Sequence, residues 1–126
     1  MFSHTGTELA NIIKKIKKVP DRVITNQSID SISDHFKTIL VGDMVHCAKN
    51  PAVADYERLF SRGDPIITLH GWMRIIPGSV CEHNEIYNLH PGDIVRYPEL
   101  KGKDPQLKAW ESKHDKAGCV LHRCTA

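Results

Sequence analysis

Cysteine and histidine are the residues of this chain whose types and spacing carry the most chemistry, four of the first and eight of the second in 126 residues. Cys81 and His83 are separated by one residue, and Cys119, His122 and Cys124 cluster further along. Thiolate sulfur and imidazole nitrogen are the usual tetrahedral ligands of zinc. Placed on adjacent strands, Cys81, His83, Cys119, His122 and Cys124 would supply a structural zinc site. The competing reading has the cysteines packed as small hydrophobes beside surface histidines. No cofactor is required by any motif, and zinc is the one ion these residues suggest.

Cys47 offers a different chemistry. It lies just ahead of a helix that Asn50-Pro51 should start, with an N-cap followed by proline at the first position. A helix N-terminus favours the thiolate. Downstream come Leu89-His90-Pro91-Gly92-Asp93-Ile94-Val95 and then His114. This order of cysteine, Pro-Gly-Asp and histidine resembles the papain-like NlpC/P60 peptidases, in which a cysteine opens a helix and a Pro-Gly-Asp turn begins a strand of the histidine-bearing sheet. The resemblance implies Cys47 as nucleophile, His114 as its base and His122 as an orienting group.

Two further groups suggest binding rather than catalysis. Lys14, Lys15, Lys17, Lys18 and Arg22 form a basic stretch. With no aromatic residue between the lysines, it suits a solvated face better than base stacking. Trp72, Arg74, Tyr87, Arg96 and Tyr97 fall on or beside expected strands. Aromatic–arginine combinations of this kind serve protein hot spots and nucleotide stacking.

The elements that must position these side chains follow from pattern. Thr5-Gly6-Thr7-Glu8 has the form of a capping box, followed by Leu9, Ile12, Ile13 and Ile16 at helical spacing and stopped before Pro20. Ile29, Ile32, Phe36 and Ile39 predict a second helix over 28–40. Val53, Tyr56, Leu59 and Phe60 predict a third, with Gly63 as its C-terminal cap. Met44–Cys47, Ile66–His70, Trp72–Ile76, Val80–His83, Glu85–Leu89 and 118–123 read as strands, and Asp104-Pro105 begins a late helix. Gly42-Asp43 and Gly92-Asp93 each read as a turn launching a strand. In the second case Pro91 presets φ, Gly92 supplies positive φ, and Ile94, Val95 and Tyr97 form the strand.

The fold class this implies is α+β, a single domain over 1–126. A mainly helical half, 1–63, precedes a β-rich half, 64–126, with a small, strongly curved, mainly antiparallel sheet or SH3-like barrel and one late helix. Seventeen basic and fifteen acidic residues leave a net charge of +2, too little to argue for a polyanionic partner. No apolar run approaches a membrane span and no export signal opens the chain, so a cytoplasmic location with reduced thiols is expected.

On these grounds the first expectation is a small soluble non-enzymatic binding or adaptor module. Its β-rich half would recognise a protein partner, a second copy of the chain, or a nucleotide-like ligand or nucleic acid. The alternatives are an NlpC/P60-like cysteine hydrolase using Cys47 and His114, and a structural zinc-binding domain.

Overall fold

The computed structural model describes residues 1–39, 42–60 and 66–126. Helix α1, Thr7–Ile16, forms as its apolar spacing dictates. Leu9, Ala10 and Ile13 are buried, the lysines point outward, and Lys17 ends it at a φ of 55° with its N–H on the Ile13 carbonyl. Glu8 does not close a capping box with Thr5. Gly6, in a left-handed conformation, is the N-cap, and the Thr5 hydroxyl pairs with Thr7.

Strand β1, Val23–Thr25, follows, fully buried and β-branched throughout. Three residues show no periodicity, which is why the strand is invisible to pattern. The helix expected over 28–40 is broken into a 3₁₀ turn, Ile29–Ser31, and a single-turn helix α2, Asp34–Lys37. Ser33 stands between them, its hydroxyl accepting the Phe36 N–H at 3.2 Å. Serine side chains offer the backbone this local alternative to a continuous helix.

Strand β2 is Met44–His46, and helix α3 is Val53–Leu59; its N-cap is Ala52, two residues beyond the expected Asn50. The Asp55 carboxylate accepts the Ala52 N–H at 2.8 Å and so caps its first turn. The expected cap at Gly63 lies outside the described residues. Strand β3 is Ile67–His70, closed by Gly71 at a φ of 60°.

Three expected strands are absent. Residues 72–76 form a loop. Val80 to His83 belong to a helix, α4, Gly78–His83, entered through Pro77. Strand β4, Ile86–His90, then runs to Pro91. The strand expected after Gly92-Asp93 does not form. Asp93 holds that segment in a turn: its carboxylate accepts the Arg96 N–H at 3.0 Å and its carbonyl the Tyr97 N–H at 2.8 Å. Asp side chains compete with extended backbone in this way. Nor does Gly92 adopt positive φ. A 3₁₀ turn at Pro98–Leu100, helix α5 at Pro105–Glu111 and strand β5 at Val120–Arg123 complete the described elements.

The strands are ordered β2-β1-β3-β4-β5, with the N-terminal segment inserted between β1 and β3. Phe2 bridges Thr25 on one side and His70 on the other, both in parallel. β1 pairs with β2 and β3 with β4 in parallel, and β5 alone is antiparallel. Two apolar clusters lie on opposite faces. One joins Phe2, Val23 and Met44 of the sheet to Leu9, Ala10 and Ile13 of α1 and Phe36 of α2. The other joins Ile24, Ile67, Leu69 and Ile86 to Tyr56 of α3 and to Val80 and Cys81 of α4.

The architecture is therefore a parallel sheet covered by helices on both faces, a Rossmann-like arrangement. It overturns the expectation of a curved antiparallel sheet or SH3-like barrel. Helices alternate with strands along the chain, and strands from both halves of the sequence enter one sheet. Parallel neighbours need a crossover, and a crossover helix covers a face. No barrel closes among the described residues.

Candidate functional site

Open parallel sheets bind ligands beyond the C-terminal ends of their strands, at the point where strand order reverses. Here the chain first builds outward from the N-terminal segment through β1 and β2, then returns to lay β3 on the segment's other side. The reversal therefore falls between Phe2 and β3. Ser3 stitches its two lips together, its hydroxyl donating to the Gly71 carbonyl and accepting the Met73 N–H, both at 2.8 Å. Beside it His70, almost fully buried, has Nδ1 3.0 Å from Glu8 of α1 and Nε2 2.9 Å from the Thr68 hydroxyl.

A cavity of about 330 Å³ lies alongside, under the loop that follows β3. Its floor is a register row across three strands, Leu69, Asn88 and His122. Trp72, Ile76 and Cys81 supply apolar wall, and Arg74 stands at the rim. Asn88 Nδ2 lies 3.3 Å from His122 Nε2. The amide has no other role there than donor, so Nε2 accepts, and His122 Nδ1 carries the proton toward the Arg123 carbonyl at 3.4 Å. His90, two residues after Asn88 on the same strand face, places Nε2 2.9 Å from the Leu100 carbonyl, which leaves Nδ1 as its acceptor. An amide donor beside an imidazole nitrogen acceptor can steady a developing negative charge and take a proton from a bound nucleophile.

A larger cavity, about 470 Å³, lies among Lys18, Arg22, Val23, Asp43, Phe60 and Ile66. It sits mainly at the N-terminal ends of the strands, the opposite edge from the one where such sheets bind ligands.

The residues singled out by sequence are dispersed. Trp72 and Arg74 line the smaller cavity, Trp72 donating its indole N–H to the Tyr56 hydroxyl at 3.3 Å. Tyr87 lies on the opposite sheet face, its hydroxyl donating to Glu85 at 2.7 Å. Arg96 and Tyr97 form a separate group. The guanidinium sits 5.8 Å over the Tyr97 ring, and the ring meets His114 edge-on at 3.8 Å between centroids.

Cys47 and His114 are not brought together. Cys47 follows β2 at one edge of the sheet, its N–H bonded to Thr25, and burial pushes its thiol up rather than down. His114 pairs with Glu99 at 3.2 Å, and His122 sits on β5 at the far edge. Five strand spacings of about 4.8 Å put roughly 24 Å between the sheet edges.

The zinc ligands fare likewise. On a helix, two positions turn a side chain by about 200°, so Cys81 and His83 face apart. Cys81 is buried in the core, while exposed His83 bonds through Nδ1 to the Ser79 carbonyl. Cys119 is exposed and apart from the core that Cys81 and Cys124 share. No metal-holding group of three or more ligands occurs among the described residues.

Asn88 and His90 were missed by spacing arguments. Their signal was present in Asn88-Leu89-His90-Pro91, two polar side chains on one face of an otherwise apolar strand.

The fold matches the Rossmann-like domain of formyltransferases. It superposes on glycinamide ribonucleotide transformylase 1 from Symbiobacterium toebii with a TM-score of 0.76 and 27% identity, over 99% of this chain and 64% of that one. The phosphoribosylglycinamide formyltransferase from Anaplasma phagocytophilum gives a TM-score of 0.76 and 23% identity, over 98% and 62%. That from Campylobacter jejuni gives 0.75 and 22%, over 98% and 71%. The chain thus spans less than two thirds of the length of the first two. No family model matches it. Similarity along the whole chain to this set of enzymes overturns the non-enzymatic binding module, and with it the cysteine-hydrolase and zinc-domain alternatives. No helix among the described residues is long and apolar enough to cross a membrane.

Proposed function

We infer that the chain is the nucleotide-fold portion of a formyltransferase that passes a formyl group to the amine of a phosphoribosylated glycinamide. The observation that carries this reading is the superposition of 99% of the chain on a glycinamide ribonucleotide transformylase. The Asn88–His122 pair supplies chemistry to match, set in the floor of the smaller cavity.

In this reading the acceptor amine attacks the formyl carbon. The carbonyl oxygen gathers negative charge, and the Asn88 amide N–H groups stabilise it. The amine proton passes to an imidazole, either His122 through Nε2 or His90 through Nδ1. The tetrahedral intermediate then collapses, the C–N bond to the acceptor remains, and the donor's leaving group departs with the proton that the imidazolium returns. The N-terminus of α1, which no side chain caps, opens at the same strand ends and suits the acceptor's phosphate.

Formyl transfer to glycinamide ribonucleotide tests the reading, measured together with calorimetric binding of that acceptor. Asn88→Ala should lower kcat by about 10²–10³ while acceptor binding persists, the loss usual for an oxyanion donor. A folded chain that neither binds nor formylates glycinamide ribonucleotide overturns the assignment.

A further inference from the structure

Two of the four thiols have no part in the proposed formyl transfer. Cys81 is buried in the core beneath α4, and Cys124 packs against the same cluster from the strand side. Both line the smaller cavity. Their juxtaposition follows from register. Beyond β5 the chain stays paired, with the Cys124 N–H on the Ile86 carbonyl at 2.8 Å, so Cys124 continues the row of His122 on the face that α4 covers. Further on, Ala126 packs against the first residue of α4: a Cβ built on Gly78 would meet the Ala126 Cβ at 3.2 Å. Gly78 and Cys81 are neighbours on one helix face, about 5–6 Å apart at their Cβ positions. Ala126 and Cys124 are two positions apart on a chain segment, a span of about 7 Å when extended. Where residue 78 faces 126, residue 81 therefore faces 124.

The geometry points to Cys81 and Cys124 as a redox-convertible pair that closes to a disulfide and ties α4 to the strand bearing His122. The co-reactant is a small-molecule disulfide. The Cys124 thiolate attacks one of its sulfurs, forming a mixed disulfide and expelling the first small thiolate. The Cys81 thiolate then attacks the Cys124 sulfur, forming the Cys81–Cys124 bond and expelling the second. Two protein thiols lose two protons and two electrons, and one small disulfide becomes two small thiols. Burial and then the charge of nearby Cys81 push the Cys124 thiol up, and burial raises Cys81, so closure is slow at neutral pH and accelerates in alkali. The bond would fix one wall of the cavity two residues from His122.

Trypsin separates all four cysteines, because Arg123 divides Cys119 from Cys124, and Cys81 lies within Ile75–Arg96. The full chain, incubated with oxidised glutathione at alkaline pH, acid-quenched, alkylated and mapped without reduction, should yield Ile75–Arg96 joined to Cys124–Ala126. Cys119→Ser should retain that species and Cys124→Ser should lose it. Separate glutathione adducts on Cys81 and Cys124, or cross-links made mainly through Cys119, overturn the pair. The wild-type map decides the matter even where a variant folds poorly, and it does so irrespective of catalysis.

Discussion

At the scale of single residues, charge and burial assign the thiols their behaviour. Cys47, Cys81 and Cys124 are all held above the usual thiol range, chiefly by burial. A thiolate is the reactive form, so a raised value means less thiolate at neutral pH. Cys119 is the exposed thiol. Native labelling with iodoacetamide at pH 7 should therefore modify Cys119 first, with the other three lagging behind it. Their lag should shrink as pH rises through and above the ordinary thiol range near 8.5. Mass spectrometry of the four tryptic peptides reads this directly, and preferential labelling of Cys47 would contradict it. His122 and Asn88 show the complementary rule. Neither is unusual as a residue type, and the role proposed for them comes from sharing one register row over a cavity.

At the scale of elements, close approach matters more than turn type. Gly92 lies where β4 gives way to the segment leading to α5, and a Cβ there would sit 2.8 Å from the Pro105 side chain and 3.3 Å from His90 Nε2. Pro105 begins α5, and its ring has little freedom to retreat. Gly92→Ala should cost about 1–3 kcal/mol, the usual range for overpacking. It should also disturb the His90–Leu100 hydrogen bond. Thermal denaturation measures the first effect, and the His90 imidazole resonances report the second. An unchanged melting temperature would show that the α5 start yields easily. Gly42-Asp43 works differently: Asp43 pairs with Arg22 at 2.7 Å and its carbonyl accepts the Val23 N–H, so the pair aligns β2 with β1.

At the scale of the whole molecule, the N-terminal segment joins the sheet's two parts. The Phe2 N–H donates to the Ile24 carbonyl at 3.0 Å and the His70 N–H to the Met1 carbonyl at 2.8 Å. The Phe2 side chain is fully buried and meets the Phe36 ring edge-on at 5.0 Å. Phe2→Ala should destabilise the fold by about 3–5 kcal/mol, as large aromatic truncations in cores do. Because both parts of the sheet depend on this segment, unfolding should stay a single transition. Urea titration of Trp110→Phe, followed by Trp72 emission and by far-UV circular dichroism, should give coincident midpoints. Separated midpoints would mean that β1–β2 and β3–β5 unfold independently.

The helices α1, α3 and α5 were legible in the sequence because their signals are local: an apolar stripe, an Asn-Pro start, an Asp-Pro start. Strands β2 to β5 were located by short apolar runs, yet nothing local says with which neighbour, or in which direction, a strand pairs. β1 and the Phe2 bridge are too short to show a period, and they are the pieces that make the sheet parallel and continuous. Val80–His83 carries an apolar pattern that suits a strand, but Pro77 and the face of β4 make it a helix, which parts Cys81 from His83 and turns Cys81 toward Cys124. The sequence by itself determined which residues are capable of chemistry and where most elements begin. Tertiary structure alone decided which of them meet. Asn88 and His122 are brought together by strand register across the sheet, and register is a long-range property that no window of sequence contains.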